Sequence, residues 1–373
     1  MLSRRTFFKT AALGAAAAAS ATIPTELLSW AEPSRAAEPG GPVLLNSNEN
    51  AYGPFPSVMA IGSPFEGVNR YPDHHSDVIS EKLAALHKVD LNRVLTGCGS
   101  TEILRMAAFA FTGPGKKLIM AAPTFEAIGE YSAVVQAEAV KVPLAANFSH
   151  DLGAMLKAAG SNAGLVYICN PNNPTGNLTP RADLEDFLRK LPRNTRVLVD
   201  EAYHDFVPIG PEYASFLDRP LDDDRIIVAR TFSKIYGLAG MRLGYGVAGK
   251  ETAAEMRKQR LQDSLNIFVM RCALTSLEDS GAHQNAVRRN AADRDEFMRQ
   301  AAARKLKTIP SSANFVMIET GRPIQTVIDF FAKRLVKVGR PFPPLAKQAR
   351  ISLGTPDQMK EFWRVWDELP KVQ

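Results

Sequence analysis

The sequence predicts an α/β fold: a large, doubly wound domain around a mostly parallel seven-stranded sheet, plus a small α+β domain. Three observations support this prediction. Between residues 92 and 246, short β-branched or apolar runs alternate with helical patterns, as in βαβ units. Beyond residue 246 the pattern changes to long helices and a short mixed segment. A chain of 373 residues also exceeds the size at which one hydrophobic core stops growing.

The apolar runs and helical patterns place the elements and the domains. Strands of the large sheet are predicted at 93–96, 117–121, 138–142, 164–169, 196–200, 225–229 and 242–247. Long helices are predicted over 251–279 and 282–306, followed by strands near 314–319 and 350–353. The predicted organisation is an export signal (1–37), an N-terminal arm and part of the small domain (38–88), a large ligand-binding domain (89–280) and a small C-terminal domain (281–373).

Charge and composition exclude several classes of protein. The formal net charge is +6, and the basic residues are scattered among acids without a basic run. We therefore expect no nucleic-acid partner, and no stable membrane span once the N-terminal segment is removed. Cys98, Cys169 and Cys272 have neither metal-ligand nor redox spacing. We expect no metal site, and small anionic ligands instead.

The N-terminal segment is typical of an export signal. Arg4 and Arg5 precede two phenylalanines, and residues 10–23 form an uncharged, alanine-rich stretch too short to span a bilayer securely. The segment resembles a twin-arginine signal, which implies export and a periplasmic or other extracytoplasmic location. Cleavage is expected after Ala21 or near residues 36–37, and the later site is favoured because sequence typical of a folded domain begins only after the Pro/Glu/Gly-rich stretch at 33–42.

A lysine after an apolar strand carries the strongest chemical signal. Lys234 follows Thr231 and Ser233 and precedes Arg242, with glycines between the lysine and the arginine. A lysine at a strand end is usually solvent-exposed. Hydroxyls and a guanidinium around an amine, however, suit a bound phosphate, and glycines let the backbone approach a ligand closely. The segment therefore predicts a phosphate next to an amine.

Further polar motifs follow other predicted strands. Residues 97–102 (GCGSTE) open a helical pattern whose first amides suit an anion. Residues 170–176 (NPNNPTG) form a turn, and residues 200–203 (DEAY) follow an apolar run. Phe125 comes after another strand. Ligands bind at the carboxyl ends of strands in open α/β sheets, so we expect these separate pieces to converge on one crevice.

Together these motifs resemble the class I/II aminotransferases of fold type I, and most closely the histidinol-phosphate aminotransferase family. The resemblance covers residues 44–355 and includes, in the family's order, residues 48–54 (NENAYGP), 71–73 (YPD) and 350–355 (RISLGT). It implies a pyridoxal 5′-phosphate (PLP) cofactor. It also implies a small-molecule amino donor and oxo acceptor as partners, and a homodimer.

The resemblance implies roles around the cofactor. Lys234 would hold PLP as a Schiff base and move the proton, while Asp200 would pair with the ring nitrogen. Asn173 and Tyr203 would bind the phenolic oxygen of the ring, so that Lys234, Asp200 and Tyr203 form the expected catalytic set. The residues expected to surround the cofactor phosphate are Gly99, Ser100, Thr101, Thr231, Ser233 and Arg242.

Four aromatic or basic positions complete the expected site. Phe125 stands where the family often has a tyrosine that stacks on the cofactor ring, and Tyr52 resembles a tyrosine contributed by the partner subunit. Arg350 is expected to bind a substrate carboxylate or phosphate beside Asn173, with an exposed strand arginine as the alternative. Tyr71 either lines the substrate pocket or is an ordinary loop anchor.

The expected reaction is transamination between an amino donor and a 2-oxo acid or a phosphorylated ketone. Two alternatives to transamination stay open, because the motifs around Lys234 do not distinguish them from it. One is a PLP-dependent lyase or decarboxylase on the same scaffold, and the other is an exported protein that binds PLP without turnover. Histidinol phosphate is the nearest named substrate. Histidine biosynthesis is cytoplasmic, however, so an exported enzyme would be separated from that pathway. An amine outside the cytoplasm is therefore as plausible a substrate as histidinol phosphate.

Overall fold

The structure, a computed structural model, describes residues 41–63, 65–208 and 210–370. The described residues from Val43 onward group into one compact unit. The predicted export signal, residues 1–37, lies outside the described residues. In the described ranges no helix is both long and apolar enough to cross a bilayer.

A seven-stranded sheet forms the centre of the fold. The strands of the described residues are β1 Val43–Leu45, β2 Val94–Gly97, β3 Lys117–Ala122, β4 Ala139–Pro143, β5 Ala163–Cys169, β6 Arg196–Asp200, β7 Ile226–Thr231, β8 Gly244–Ala248, β9 Thr308–Ile309, β10 Phe315–Glu319, β11 Val336–Val338 and β12 Gln348–Ser352. The large sheet has the order β2-β8-β7-β6-β5-β3-β4. Its neighbouring pairs are parallel except the two that include β8.

The predicted strands of the large sheet are confirmed, with ends that differ by at most two residues. β5 is buried along its whole length, as expected for a parallel strand covered on both faces. β8 begins at Gly244 rather than at residue 242, because Arg242 has a left-handed backbone (φ 65°) that cannot continue a strand.

Helices cover both faces of the large sheet. The helices of the described residues are α1 Pro56–Met59, α2 Asp73–His87, α3 Ser100–Phe111, α4 Ala127–Val134, α5 Leu152–Ala159, α6 Arg181–Lys190, α7 Lys250–Arg257, α8 Ile267–Glu278, α9 Ser280–Ala303, α10 Ile324–Ala332 and α11 Pro356–Asp367. Leu104 of α3 and Met256 of α7 share a buried cluster with one face of the sheet. Met155 of α5 and Phe187 of α6 share another cluster with the opposite face. This is the predicted doubly wound arrangement.

The C-terminal part of the chain forms two small sheets. β10 pairs antiparallel with β9 and β12, and the predicted strands near 314–319 and 350–353 are confirmed as β10 and β12. β1 pairs in parallel with β11, so the start of the described chain joins this part. Phe331 and Phe362 are buried here with Leu45. The domain boundaries given above stay a prediction.

The helix predicted over 251–279 is wrong as one element, because α7 ends at Arg257 and α8 begins only at Ile267. The segment between them is held by Glu102, whose carboxylate accepts from the Leu261 N–H at 3.0 Å and the Ser264 hydroxyl at 2.9 Å. The Asn266 side chain then caps α8 by accepting from the Val269 N–H at 2.8 Å. The next predicted helix, 282–306, is observed as α9.

Candidate active site

A cavity of about 330 Å³ lies at the carboxyl ends of β2, β3, β5, β6 and β7, where the sequence motifs were expected to converge. The expected site residues in its wall are Ser100, Thr101, Phe125, Asn173, Asp200, Tyr203, Thr231, Ser233, Lys234, Arg242 and Arg350. The wall also contains Ser47, Asn48, Glu49, Thr124, Cys169, Ala202, Ala239, Arg340 and Phe342.

Ser100, Thr101, Ser233 and Arg242 form what we term the anion-binding corner. The first N–H groups of a helix lack partners within it and carry partial positive charge, and α3 starts at Ser100. Arg242 Nη2 donates to Thr101 Oγ1 at 3.4 Å, and Nη1 to Ser233 Oγ at 3.3 Å. A Cβ atom on Gly99 would lie 2.1 Å from Arg242 Nη2, so only glycine lets the guanidinium cover the helix start. The corner suits a phosphate group.

The backbone of Arg242 supports this corner. Its φ of 65° and ψ of 67° are rare for a residue other than glycine. Such conformations cost about 1–3 kcal/mol and concentrate at functional sites. Arg242 Nη1 also donates to the Ala239 carbonyl at 2.9 Å. The strained backbone and this hydrogen bond together fix the guanidinium beside the helix start.

Lys234 lines the same cavity. Its Nζ donates to the Asn48 carbonyl at 3.0 Å and lies 5.6 Å from the centroid of the Tyr203 ring. Burial lowers the pKa of Lys234 from 10.5 to about 8, and the charge of Arg350 acts in the same direction. A pKa near 8 leaves the ammonium form in the majority at pH 7 and makes about a tenth of the side chain a neutral amine. That is the form that attacks a carbonyl carbon.

Asp200 ends β6 and is 3% exposed. Its Oδ2 accepts from the Tyr167 hydroxyl at 2.8 Å, and its Oδ1 from the Ala202 N–H at 3.1 Å. Burial raises the pKa of Asp200 to about 6, and the two donors oppose that rise. A buried carboxylate at a cavity wall is favoured by a cationic partner, and a protonated ring nitrogen would be one.

Tyr203 and Asn173 offer neutral donors to the cavity. The Tyr203 hydroxyl accepts from Asn48 Nδ2 at 3.1 Å, which leaves its own proton for donation. The Asn173 oxygen accepts from Arg350 Nη1 at 2.5 Å, so its NH₂ group can donate to a ligand. Burial raises the pKa of Tyr203 well above its usual value, and the hydroxyl stays neutral. Two such donors suit a phenolic oxygen.

Arg350 is buried, so the alternative of an exposed strand arginine is wrong. Its side chain is 7% exposed, Nη2 donates to the Asn46 carbonyl at 2.7 Å, and Nε is a buried donor without a partner among the described residues. Burial lowers the pKa of Arg350 to about 10. The guanidinium lies 4.6 Å from the centroid of the Phe342 ring. The group remains a cation with donor capacity for a carboxylate or a phosphate.

The structure places Tyr52 and Tyr71 outside the wall of this cavity. The Tyr52 hydroxyl donates to Asp293 Oδ2 of its own chain at 3.0 Å, and its ring lies under Arg289 at 3.5 Å. Its reach into a neighbouring subunit stays a prediction. Tyr71 is 79% exposed, and its contact with a substrate stays a prediction.

For several wall residues the sequence predicts no role. Asn48 and Glu49 belong to the motif at 48–54, which is part of the family resemblance, and that motif is a signal that could have assigned them to the site. Arg340 and Phe342 had no such signal, because they reach the cavity through tertiary contacts. The Gly339 N–H donates to the Arg350 carbonyl at 2.9 Å, which places the segments of the two arginines side by side.

The residues fit the PLP that the resemblance implies. The anion-binding corner has the donors for a phosphate, and Gly99, which lacks a Cβ atom, leaves room there for the Arg242 guanidinium. Asp200 is a buried carboxylate for a protonated ring nitrogen, and Tyr203 and Asn173 are donors for a phenolic oxygen. Lys234 is an amine of lowered pKa for an aldehyde. Each polar group of this cofactor has a counterpart in one cavity.

Comparisons with known proteins point to one family. The family model described as aminotransferase class I and II matches residues 41–365. A histidinol-phosphate aminotransferase from Symbiobacterium thermophilum is 37% identical over 326 residues, 86% of this chain and 88% of that protein. An aromatic amino acid aminotransferase from Streptomyces avermitilis is 33% identical over 348 residues, 91% and 94% of the two chains.

Solved structures agree with this. The crystal structure of histidinol-phosphate aminotransferase from Sinorhizobium meliloti in complex with PLP superimposes with a TM-score of 0.80 at 27% identity, covering 88% of this chain and 89% of that one. The predicted fold class and cofactor are therefore confirmed. The chain belongs to the aminotransferase class I and II family and is a PLP-dependent transaminase.

Proposed function

We propose that PLP lies between the anion-binding corner and Asp200, with Lys234 as its covalent partner. When bound, PLP supplies an electron sink next to the Cα atom of the substrate. Lys234 supplies the amine and moves the proton at that carbon, while Asp200 keeps the ring nitrogen protonated. One observation carries this proposal: a lysine of lowered pKa, a buried carboxylate and a phosphate-sized donor set share one cavity.

The proposed substrates carry one anionic group, a carboxylate or a phosphate monoester, and a flat side chain. Arg350 supports the anionic group, because its buried Nε lacks a partner among the described residues. Phe125 and Phe342 in the wall support the flat side chain. Histidinol phosphate and aromatic amino acids, which name two relatives, both meet this description.

A panel of donors tests the substrate class. The PLP-loaded protein receives histidinol phosphate, phenylalanine, tyrosine or alanine without an acceptor, while the oxo product and the visible absorption are followed. Arg350→Gln is expected to lower kcat/KM for the two aromatic amino acids and for histidinol phosphate about 100-fold, because it removes charge-assisted hydrogen bonds. Arg334→Gln is the matched control, since Arg334 lies 3.5 Å over the Phe330 ring away from the cavity. An unchanged kcat/KM in Arg350→Gln would overturn the assignment.

The same assay separates transamination from its alternatives. A transaminase forms one equivalent of oxo product per site and stops until an acceptor is added. A decarboxylase would release carbon dioxide from the amino acids and continue without an acceptor. A binding protein without turnover would keep its absorption unchanged with every donor.

We propose that the chain is exported by the twin-arginine route to the periplasm or another extracytoplasmic site. Support comes from Arg4 and Arg5, the two phenylalanines after them and the alanine-rich stretch at 10–23. In fractionated cells the full chain should appear outside the cytoplasm, and replacing both arginines by lysine should retain it inside. If the unaltered chain and the lysine variant were distributed in the same way between the cytoplasm and the outside, export by this route would be contradicted.

We also propose a homodimer. The support is an exposed apolar stretch just before α2, in which Met59, Phe65, Val68 and Tyr71 are 72%, 77%, 56% and 79% exposed. Several large apolar side chains exposed within one short segment favour a protein interface. Sedimentation velocity of the mature protein measures the mass directly, and a monomer at micromolar concentration would contradict the proposal.

A further inference from the structure

A buried tyrosine holds the carboxylate on which the proposed function depends. We infer that the Tyr167 hydroxyl is a positioning group that fixes the Asp200 carboxylate and keeps Asp200 the weaker base of its pair with the cofactor ring. The proton shared by that pair then stays on the ring nitrogen. This inference rests on the proposed function, because it concerns how Asp200 acts toward bound PLP.

Strand register brings the two side chains together. β5 and β6 are parallel neighbours in which Cys169 is opposite Asp200 and Tyr167 is opposite Leu198. Side chains two residues apart on a strand share a face, so Tyr167 and Cys169 lie on the same face of the sheet. Tyr167 Oη donates diagonally to Asp200 Oδ2 at 2.8 Å. The contact therefore depends on the sheet and not on a mobile loop.

Burial makes this hydrogen bond obligatory. Tyr167 is 0% exposed and its ring is part of the apolar cluster under α3. A buried hydroxyl without a partner is costly, and a buried carboxylate without donors is costlier. Among the described residues the donors to the Asp200 carboxylate are Tyr167 Oη on Oδ2 and the Ala202 N–H on Oδ1. Loss of the Tyr167 hydroxyl would leave Asp200 Oδ2 without a donor among the described residues.

The direction of the effect follows from electrostatics. Burial raises the pKa of Asp200 to about 6, and the hydrogen bond from Tyr167 is the largest influence that opposes this rise. Without the hydroxyl, Asp200 becomes a stronger base and competes better for the proton of the ring nitrogen. A ring that loses its proton is a weaker electron sink. A phenylalanine at position 167 would fill the same space but could not oppose the transfer of the proton from the ring nitrogen to Asp200.

Tyr167→Phe removes the hydroxyl and keeps the ring, so it tests the inference directly. The variant is loaded with PLP labelled with ¹⁵N at the ring nitrogen, and the chemical shift reports the protonation of that atom. We expect the shift to move toward the value of an unprotonated ring, kcat to fall about tenfold with KM little changed, and PLP affinity to fall about tenfold. Incorporation of 3-fluorotyrosine at position 167, a stronger donor, should move the shift the opposite way.

A cofactor analogue with carbon in place of the ring nitrogen separates positioning from packing. Because Tyr167 acts through Asp200 on that nitrogen, its loss should change the affinity for the analogue less than about twofold. Tyr245→Phe is the matched control: Tyr245 is a buried tyrosine of the same sheet whose hydroxyl lies 3.0 Å from His87 Nε2. It should leave the ¹⁵N shift and both affinities unchanged.

The outcomes distinguish this inference from the proposed function. Equal loss of affinity for PLP and for the analogue, or an unchanged ¹⁵N shift in Tyr167→Phe, would show a packing role and overturn the inference alone. Failure of the unaltered protein to bind PLP would overturn the proposed function as well. A ¹⁵N shift that moves with the 167 hydroxyl, with the analogue unaffected, supports the inference.

Discussion

Replacing Lys234 by alanine is expected to abolish the visible absorption of the PLP-loaded protein and to lower the transamination rate by at least about 10³-fold. The variant removes both the amine that bonds to the cofactor and the group that moves the proton at the substrate Cα atom. Lys234→Arg should be as inactive, because a guanidinium keeps the charge but cannot act as the amine. A small primary amine added to Lys234→Ala should restore part of the rate.

Lysine replacement away from the cavity provides the control. Lys250 begins α7 and is exposed, so Lys250→Ala should keep both the absorption and the rate. An unchanged spectrum in Lys234→Ala would contradict the assignment of the covalent lysine.

Cofactor loading should also depend on pH in a direction set by Lys234. Its folded pKa is lowered from 10.5 to about 8, so the ammonium form dominates below that pH and the free amine above it. The rate at which apoprotein develops the visible absorption should therefore rise with pH, with a midpoint near 8. Arg350→Gln removes a neighbouring positive charge and should move the midpoint upward. A rate that does not vary between pH 6 and pH 9 would contradict this explanation.

Asp200→Asn is the second change with a large expected effect. The amide has the shape of the carboxylate but no charge, so the ring nitrogen of bound PLP loses its ionic partner. We expect kcat to fall about 10³-fold, the size of effect seen when a preorganised electrostatic group is removed. Rapid-quench measurement of the half-reaction with a good donor reports this step, and Asp200→Glu should recover part of the rate.

Although Asp200→Asn lowers kcat, it should raise the stability of the apoprotein at high pH. The folded pKa of Asp200 is raised from 3.8 to about 6, so the folded state holds its proton more tightly than the unfolded state does. The apoprotein therefore loses about 3 kcal/mol of stability as pH rises from about 4 to above 6. Asp200→Asn lacks this loss and should be the more stable apoprotein at pH 8 but not at pH 4. Urea titration of both forms at the two pH values measures their free energies of unfolding. A difference in this free energy that is the same at both pH values would contradict a buried, charged Asp200 carboxylate.

Much of the fold and the cavity wall could be predicted because the determinants are local in sequence. The apolar runs that form β2, β5, β6 and β7 each end in a polar motif, and these strands place those ends at one edge of the sheet. Lys234, Asp200 and Asn173 are in such motifs, and the cavity contains all three. The glycine at position 99 was also readable, since a helix start that binds an anion needs an uncrowded backbone.

Other parts depend on contacts between distant segments, which a single sequence does not show. The segment between α7 and α8 is held by the Glu102 carboxylate, which is far away in the chain. Arg340 joins the wall because its segment packs against that of Arg350. Tyr167 looks like one more apolar strand residue in sequence, and only the register of β5 and β6 places its hydroxyl on Asp200.

The most direct test of the central claim is chemical trapping of the PLP-loaded protein. Reduction with borohydride fixes the cofactor to the lysine that holds it, and peptide mapping by mass spectrometry then identifies that lysine. The cofactor mass should be found on the peptide that contains Lys234, at about one equivalent per chain, and should be absent from Lys234→Ala. Cofactor mass on a different lysine, or on the same peptide at a residue other than Lys234, would contradict the account.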